Sequence, residues 1–389
     1  MHRFKFVHLL FFLTFPVLLQ GCYLPSFLPV APNRAPKIYD DGELAILREA
    51  LHNNLIKLKT RDPSATVCFG AEKLPVKHLV ASLKHLLFII SDNPDPVTLD
   101  ARIQASFDLY RSTGFNYFTR DGAILITGYY QPVFSGSTIR REDYQYPLYK
   151  PPPKSLISPP LAEINTEEDG TEVDWSRRAI ETGELCRGYE LVWLRDPMDV
   201  YLLHVQGSGL IRLGDGSLRG VGYAGTNGLP YRSIGFHLVA TDRLSSKEVS
   251  LASIRKYINA HPRERDDIFF HNESYIFFRW REGKAARGSL GVELTPNRSI
   301  AVDNRVMPVG GIFYLRTTRP MLEKGVVRGR RSFSRLVVGQ DTGSAIKGAG
   351  RVDLFCGTGD EAGEQAGNLK EEGLLYCLLL KQRLLAQIR

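Results

Sequence analysis

The chain is poor in the residue spacings that mark metal and nucleotide chemistry. Among its 389 residues are five cysteines and no Cys-x-x-Cys pair, which removes the spacing of a structural zinc site. His204, His237, His261 and His271 stand without metal-ligand spacing. There is no Gly-Lys-Ser/Thr phosphate loop. "QGSGL" is not Gly-x-Ser-x-Gly, so Ser208 is not an esterase nucleophile. No long repeat and no low-complexity tract interrupts the chain. With 43% hydrophobic residues, it is neither disordered nor collagen-like. The net charge of +8 is diffuse. That excludes a nucleic-acid footprint and suits a polyanionic neighbourhood such as a cell wall or membrane surface. The sharpest basic run, "RGRRSFSR" from Arg328 to Arg335, reads as a solvated loop.

What is present begins at the N-terminus. His2, Arg3 and Lys5 precede an almost wholly apolar stretch, Phe6 to Leu19, and then "LQGC" ending at Cys22. This is a secretory pattern with cleavage before a cysteine, and the apolar run is short for a spanning helix. It resembles a bacterial lipoprotein signal over residues 1–21, which implies lipidation of Cys22 and a membrane anchor. Tyr23, rather than aspartate, follows the cysteine, which implies sorting to the periplasmic side of an outer membrane. Residues 22–39 are proline-rich and aperiodic, an expected tether. An exported compartment permits disulfides. The pairing of Cys68, Cys186, Cys356 and Cys377 is not readable, and four buried free thiols remain one of the possibilities.

The length suits two domains, or one domain carrying a large insertion. Apolar residues at Leu44, Leu47, Leu51, Leu55 and Leu58 predict a helix over Asp40 to Thr60. Further helices are expected at Val76–Ser91 and Val97–Tyr110. From Ala123 the texture becomes β-branched and aromatic, and "LVWLRD" and "DVYLLHVQGSGLIRLGDGSLRGVGYAG" read as strands. Asp242 to Ala260 returns to helix, capped at Ser245 or Ser246, and strands resume after Tyr275. The expected organisation is therefore a helical part at 40–127, a β-rich segment at 128–262 and a further β-rich part at 263–389. A groove between two β domains is a natural ligand site.

One stretch stands out: "VVGQDTGSAIKGAGRVDLFCGTGDEAG", with three aspartates among its glycines. Asp341, Asp353 and Asp360 are too far apart for a calcium loop, and Lys347 and Arg351 intervene. A phosphate cradle would place these anions against an anion. A third reading is an acid at a cleft. In "RVDLF", alternation sends Val352, Leu354 and Cys356 to a core and leaves Arg351, Asp353 and Phe355 on the other face. If the strand ending at Asp341 is a neighbour, two carboxylates lie close together, and proximity with burial raises a carboxyl pKa toward general-acid use. On local physics the alternative, aspartates that cap glycine-rich turns, stands equally open.

The same stretch resembles the three-aspartate C-terminal motif of the membrane-bound lytic murein transglycosylase A family. "GYYQPVFSGS" with "YQYPLYKPP", "VQGSGLIRLGDG", "YAGTNGLPYRSIG" and "NESYIFFR" resemble further blocks of that family, in order. The resemblance implies a mainly β fold with N-terminal helices. In it a double-psi β-barrel, similar to that of barwin-like endoglucanases and expansins, carries an inserted second β-barrel, with a groove between the two. It implies cleavage of peptidoglycan between N-acetylmuramic acid and N-acetylglucosamine, the muramyl C6 hydroxyl closing on C1 to give a 1,6-anhydro end. One acid suffices for this, because the nucleophile belongs to the sugar. The resemblance assigns that acid/base to Asp353, a supporting carboxylate to Asp341, and a place in the substrate groove to Asp360. One extra residue separates the first two aspartates compared with some relatives. It calls for no cofactor or metal, and for no partner beyond glycan strands, the lipid-contacted membrane and unspecified wall-synthesis proteins.

Other groove candidates are Tyr129 and Tyr130, whose rings suit pyranose faces, Gln206 and Ser208 for hydroxyl and acetamido groups, and Thr226 and Asn227 in a glycine-permitted loop. Each has a plainer alternative: tyrosines pack in strands, and Gln206 can satisfy a buried backbone group. Two other functions compete. An inverting glycoside hydrolase would need a second carboxylate across the groove, for which Glu293 and Asp303 are the spare acids. A non-catalytic wall-binding lipoprotein would need none.

Overall fold

A computed structural model describes residues 25–114, 122–152, 174–183, 185–246, 249–323, 325–343 and 345–386. The N-terminal part runs β1 (Phe27–Pro29), α1 (Leu44–Leu58), β2 (Thr66–Phe69), β3 (Glu72–Pro75), α2 (Val76–Ile89), α3 (Pro96–Ser106), β4 (Phe107–Ser112) and β5 (Ile124–Gln131). A second unit follows: β6 (Val133–Ser137), β7 (Tyr146–Tyr149), α4 (Arg177–Thr182), β8 (Glu190–Leu194), α5 (Pro197–Gln206), β9 (Ser208–Arg212), β10 (Leu218–Thr226), α6 (Ile234–Ala240), α7 (Leu251–Ala260), α8 (Arg265–Phe270) and β11 (Ile276–Arg281). The chain then returns through β12 (Ser299–Ala301), β13 (Ile312–Glu323), β14 (Val326–Asp341), β15 (Arg351–Thr358), α9 (Asp360–Asn368), β16 (Lys370–Leu380) and α10 (Gln382–Leu385).

The leucine stripe does what its spacing predicts. Leu47, Leu51, Leu55 and Leu58 are buried, so α1 lies along the core with its polar face outward. The third helix ends earlier than its pattern suggests. Asp95 caps it, accepting from the backbone of Val97 and Thr98, but at Phe107 the chain extends. Phe107 and Leu109 are buried in alternation, and β4 is held between β16 and β1. Strand pairing there outweighs local helix preference. The opposite correction applies to Val200–Gln206, expected as strand. Asp196 caps this segment, Pro197 occupies the first turn, and Gly207 closes it at φ 73°, so α5 is helical. The expected helix from Asp242 begins at Leu251, capped by Ser250 and Ser253 rather than by Ser245 or Ser246. Helices α4, α6, α8 and α9 carried no apolar stripe long enough to be read from sequence.

Six strands close a barrel in the order β16-β13-β14-β12-β15-β5, with β16 pairing both β13 and β5. Two joints are parallel, β12 with β14 and β15 with β5. Strands β4 and β1 extend the sheet outside the ring. Val338, Val352, Leu354, Ile300, Phe313 and Leu378 fill the interior, each at most 2% exposed. The inserted unit is a six-stranded sheet, β11-β10-β9-β6-β8-β7. Strand β11 joins it from beyond residue 262. Its end strands β7 and β11 lie near one another without pairing, so the expected second barrel is an unclosed sheet. Val192, Leu194, Ile211, Val221 and Phe278 form its core. The described cysteines are free thiols: Cys186, Cys356 and Cys377 are buried, and Cys68 is partly exposed. No described helix is long and apolar enough to cross a membrane.

Candidate active site

Asp353 lies in β15, in register with Thr127 on one side and Ala301 on the other. Its strand alternates as its composition dictates. Val352, Leu354 and Cys356 enter the barrel core, and Arg351 and Asp353 stay on the outer face. Phe355 shares that outer face but is covered, packing with Tyr129, Ala286 and Leu294. Asp353 is 17% exposed. Thr127 Oγ1 donates to its Oδ1. Arg351 donates from Nε at 3.1 Å and from Nη2 at 3.3 Å, and also reaches Thr127 Oγ1 at 3.1 Å. Sequence reasoning missed Thr127 and Arg351 as partners of the acid. The signal for Arg351 was its place two residues before Asp353 on the same strand face; Thr127 needed the β5–β15 pairing.

Asp341 ends β14. Its strand is not a neighbour of β15, because β12 runs between them, yet both aspartates are in register with Ala301. Two strand spacings separate their backbones by about 10 Å. Asp341 Oδ1 accepts from the backbone of Ser289 at 2.8 Å and of Thr342 at 2.9 Å. The end of β14 is anchored by Gln340, fully buried, which accepts from Ser299 Oγ and donates to Asn54 Oδ1 at 2.6 Å. The hydroxyl of Tyr129 is buried beside Asp341 without a well-formed hydrogen bond.

Surrounding protein pushes the Asp341 carboxyl up from 3.8 to about 6, a rise only partly offset by the Ser289 and Thr342 N–H groups. A raised folded-state pKa means that its stabilising contribution is full below about pH 4 and is lost as pH climbs through about 6. Asp341→Asn should therefore gain on the wild type by about 2–3 kcal/mol between pH 4 and pH 8. Urea unfolding of both proteins across that range measures the gain, and parallel profiles would refute it.

The remaining candidates divide. Tyr129 is partly exposed, its ring 5.3 Å from that of Phe355. Tyr130 is 9% exposed and belongs to the core, which corrects the expectation that both rings are open to a sugar. Gln206 Oε1 accepts from Tyr130 N at 3.2 Å, tying α5 to β5 across the two units. Ser208 is partly exposed at the start of β9, and Thr226 accepts from Gly228 N at 3.2 Å. Asn227 is a strut rather than an open contact. Its Nδ2 donates to Trp175 O and Glu273 O, each at 2.8 Å, and its Oδ1 accepts from Tyr275 N at 2.8 Å. Asp360 heads α9 beside Asp199 and Tyr130, about 16 Å of strand beyond Asp353. Of the spare acids, Asp303 is held by Arg305 and Gly348 N, and Glu293 lies 3.8 Å from Arg287. Cys22 lies outside the described residues. Among them, no cluster of three or more His, Cys, Asp or Glu could hold a metal.

Comparison with known proteins agrees with this arrangement. Residues 125–279 match the MltA specific insert domain and residues 298–379 match the 3D domain. The chain is 32% identical over 278 residues to membrane-bound lytic murein transglycosylase A of Escherichia coli K12, covering 71% of this chain and 70% of that protein. The solved structure of a membrane-bound lytic murein transglycosylase from Agrobacterium tumefaciens superposes with TM-score 0.73 at 28% identity, over 93% of this chain and 99% of the other. E. coli MltA with bound chitohexaose does so with TM-score 0.69 at 26% identity, over 91% and 94%. A closed six-strand barrel with the insert between its strands, matched at 32% identity over 71% of the chain by one relative and over 93% of it by a solved structure, means that the chain belongs to the membrane-bound lytic murein transglycosylase A family.

Proposed function

We propose that this chain cuts the MurNAc–GlcNAc β-1,4 bond of peptidoglycan without water, with Asp353 acting first as acid and then as base. The chain is a peptidoglycan lytic transglycosylase; the residue roles are our reading. The observation that supports them is the setting of Asp353, an acid on the outer barrel face, 17% exposed, with Arg351 and Thr127 as its donors. The Asp353 proton passes to the leaving O4 as the C1–O4 bond breaks. The muramyl C6 oxygen bonds to C1, and its proton returns to Asp353. Atoms balance with no water consumed. Arg351 and Thr127 hold the carboxylate in the interval when the proton is gone. Asp341, level with Asp353 and surrounded by protein, keeps that stretch of the groove poor in water and adds negative charge where C1 becomes cationic.

A second reading has one observation in its favour. Carboxylates two strands apart approach the separation of about 6.5–9.5 Å used by inverting hydrolases. Against it, the Asp341 carboxyl is closely surrounded by protein, with Oδ1 committed to two backbone N–H groups, whereas a water-activating base must face the water. Mass analysis of fragments released from purified sacculi separates the two. The transglycosylase gives ends one water lighter than hydrolysis products, whereas reducing muramic acid would transfer the role to a hydrolase. Absence of any cleavage would leave a wall-binding protein.

We further propose that Cys22 carries a lipid that holds the chain at the periplasmic face of an outer membrane, beside its substrate. Labelling with radioactive palmitate, compared with Cys22→Ala, tests this, and an unlabelled wild type would overturn it.

A further inference from the structure

One face of the inserted sheet carries the apolar core, through Val221 and Phe278. The opposite face carries Ser208, Gly222 and Arg279 in register across β9, β10 and β11. Arg281, next on that face, lies across Gly222. A Cβ at Gly222 would stand 2.4 Å from Arg281 Cδ, so a side chain there would have to displace the arginine from its place. The Arg281 Nε is buried with no hydrogen-bond partner, while its Nη2 donates to Ala285 O. Arg279 is exposed and bonded to no other described residue. Arg287 adds a third guanidinium close by, held only loosely by Glu293 at 3.8 Å.

Like charges gathered around an unsatisfied buried donor are costly unless an anion answers them. The position of this cluster indicates which anion. Ala286, adjoining the carbonyl that Arg281 holds, packs on Phe355 and Tyr129, and the same segment delivers the Ser289 N–H to Asp341. The arginines therefore border the groove of the proposed active site. A β-1,4 glycan backbone is uncharged, so the anions that such a strand brings are the acidic substituents on the muramyl lactyl group.

We propose that Arg279 and Arg281, with Ser208, form a carboxylate-binding site for those substituents, so that the enzyme distinguishes peptidoglycan from an uncharged β-1,4 glycan. The inference rests on the peptidoglycan reading above. Planar guanidinium pairs suit carboxylates, and Ser208 supplies a hydroxyl donor on the same sheet face, from β9 beyond Gly222 of β10.

The test compares wild type with Arg279→Gln and Arg279→Lys on three ligands. These are intact sacculi, strands stripped of peptide by an amidase (which leave the lactyl carboxylate), and chitohexaose, followed by its Kd. Arg279 is exposed, so its variants keep the fold, and Arg281→Gln is a second arm. For Arg279→Gln the expected result is a KM raised roughly tenfold to hundredfold on the acidic substrates. Its kcat should stay within about twofold, Lys should restore part of the loss, and chitohexaose Kd should not move. A loss on sacculi alone assigns the carboxylate to the peptide, a loss on stripped strands alone assigns it to the lactyl group, which is amide-linked in intact sacculi, and a loss on both means that the site takes either carboxylate. The proposal is overturned if KM is unmoved, or if chitohexaose weakens as much as the acidic substrates. Failure of the underlying reading looks different: wild type would release no anhydro ends from any strand.

Discussion

Asp353→Asn releases essentially no 1,6-anhydro fragments from sacculi, a fall of at least about a thousandfold in kcat/KM. The size follows from the double duty of one carboxyl. The amide can neither give a proton to the leaving oxygen nor take one from the C6 hydroxyl, so both halves of the reaction lose their catalyst. The fold is expected to persist, because an amide oxygen can still accept from Thr127 and Arg351 and the position keeps 17% exposure. Sacculus binding by the variant, measured by co-sedimentation, should stay near the wild-type level. A variant that keeps activity within about tenfold of wild type would remove Asp353 from the chemistry and return the barrel face to a binding role.

Asp40→Ala is expected to lower folding stability by about 3–5 kcal/mol. The Arg298 and Asp40 side chains are each 1% exposed and form a two-point pair, at 2.6 and 2.8 Å. The same carboxylate accepts from Gly42 N and Leu336 N, and the same guanidinium donates to Glu43 O and Leu336 O. Truncation leaves a buried cation without its counter-charge and two backbone donors without partners. The pair also clamps the segment before α1 onto Leu336 of β14 and the entry to β12, the strands that position Asp341 and Ala301. Loss of activity should therefore accompany loss of stability. Urea unfolding reads the first effect. The double variant Arg298→Met, Asp40→Ala should recover part of the stability, because no orphan charge remains. If the single variant unfolds with the wild-type midpoint, the pair is not a structural clamp.

Much of the candidate site could be read without coordinates, and the reasons are local. The alternation in "RVDLF" commits Val352, Leu354 and Cys356 to a core, so Asp353 had to face outward. The spacing of Leu47, Leu51, Leu55 and Leu58 could only be a helix face. Residues whose roles depend on remote partners were not readable. Asn227 looked like a ligand-binding loop residue, but its amide is committed to Trp175, Glu273 and Tyr275, separated from it by tens of residues. Tyr130 differs from Tyr129 by one position and by the side of β5 on which it falls.

By itself, then, the amino-acid order determined which face Asp353 occupies, the face that α1 turns to the core, and the family to which the chain belongs, because side-chain periodicity and short motifs are properties of neighbouring residues. Only the tertiary structure decided that Asp341 and Asp353 meet across Ala301 rather than side by side, and that Arg351 and Thr127 hold the acid. It alone gathered the arginines of β11 over Gly222. Strand order, closure and register bring together residues far apart in the chain, and no local pattern encodes which strand will lie between two others.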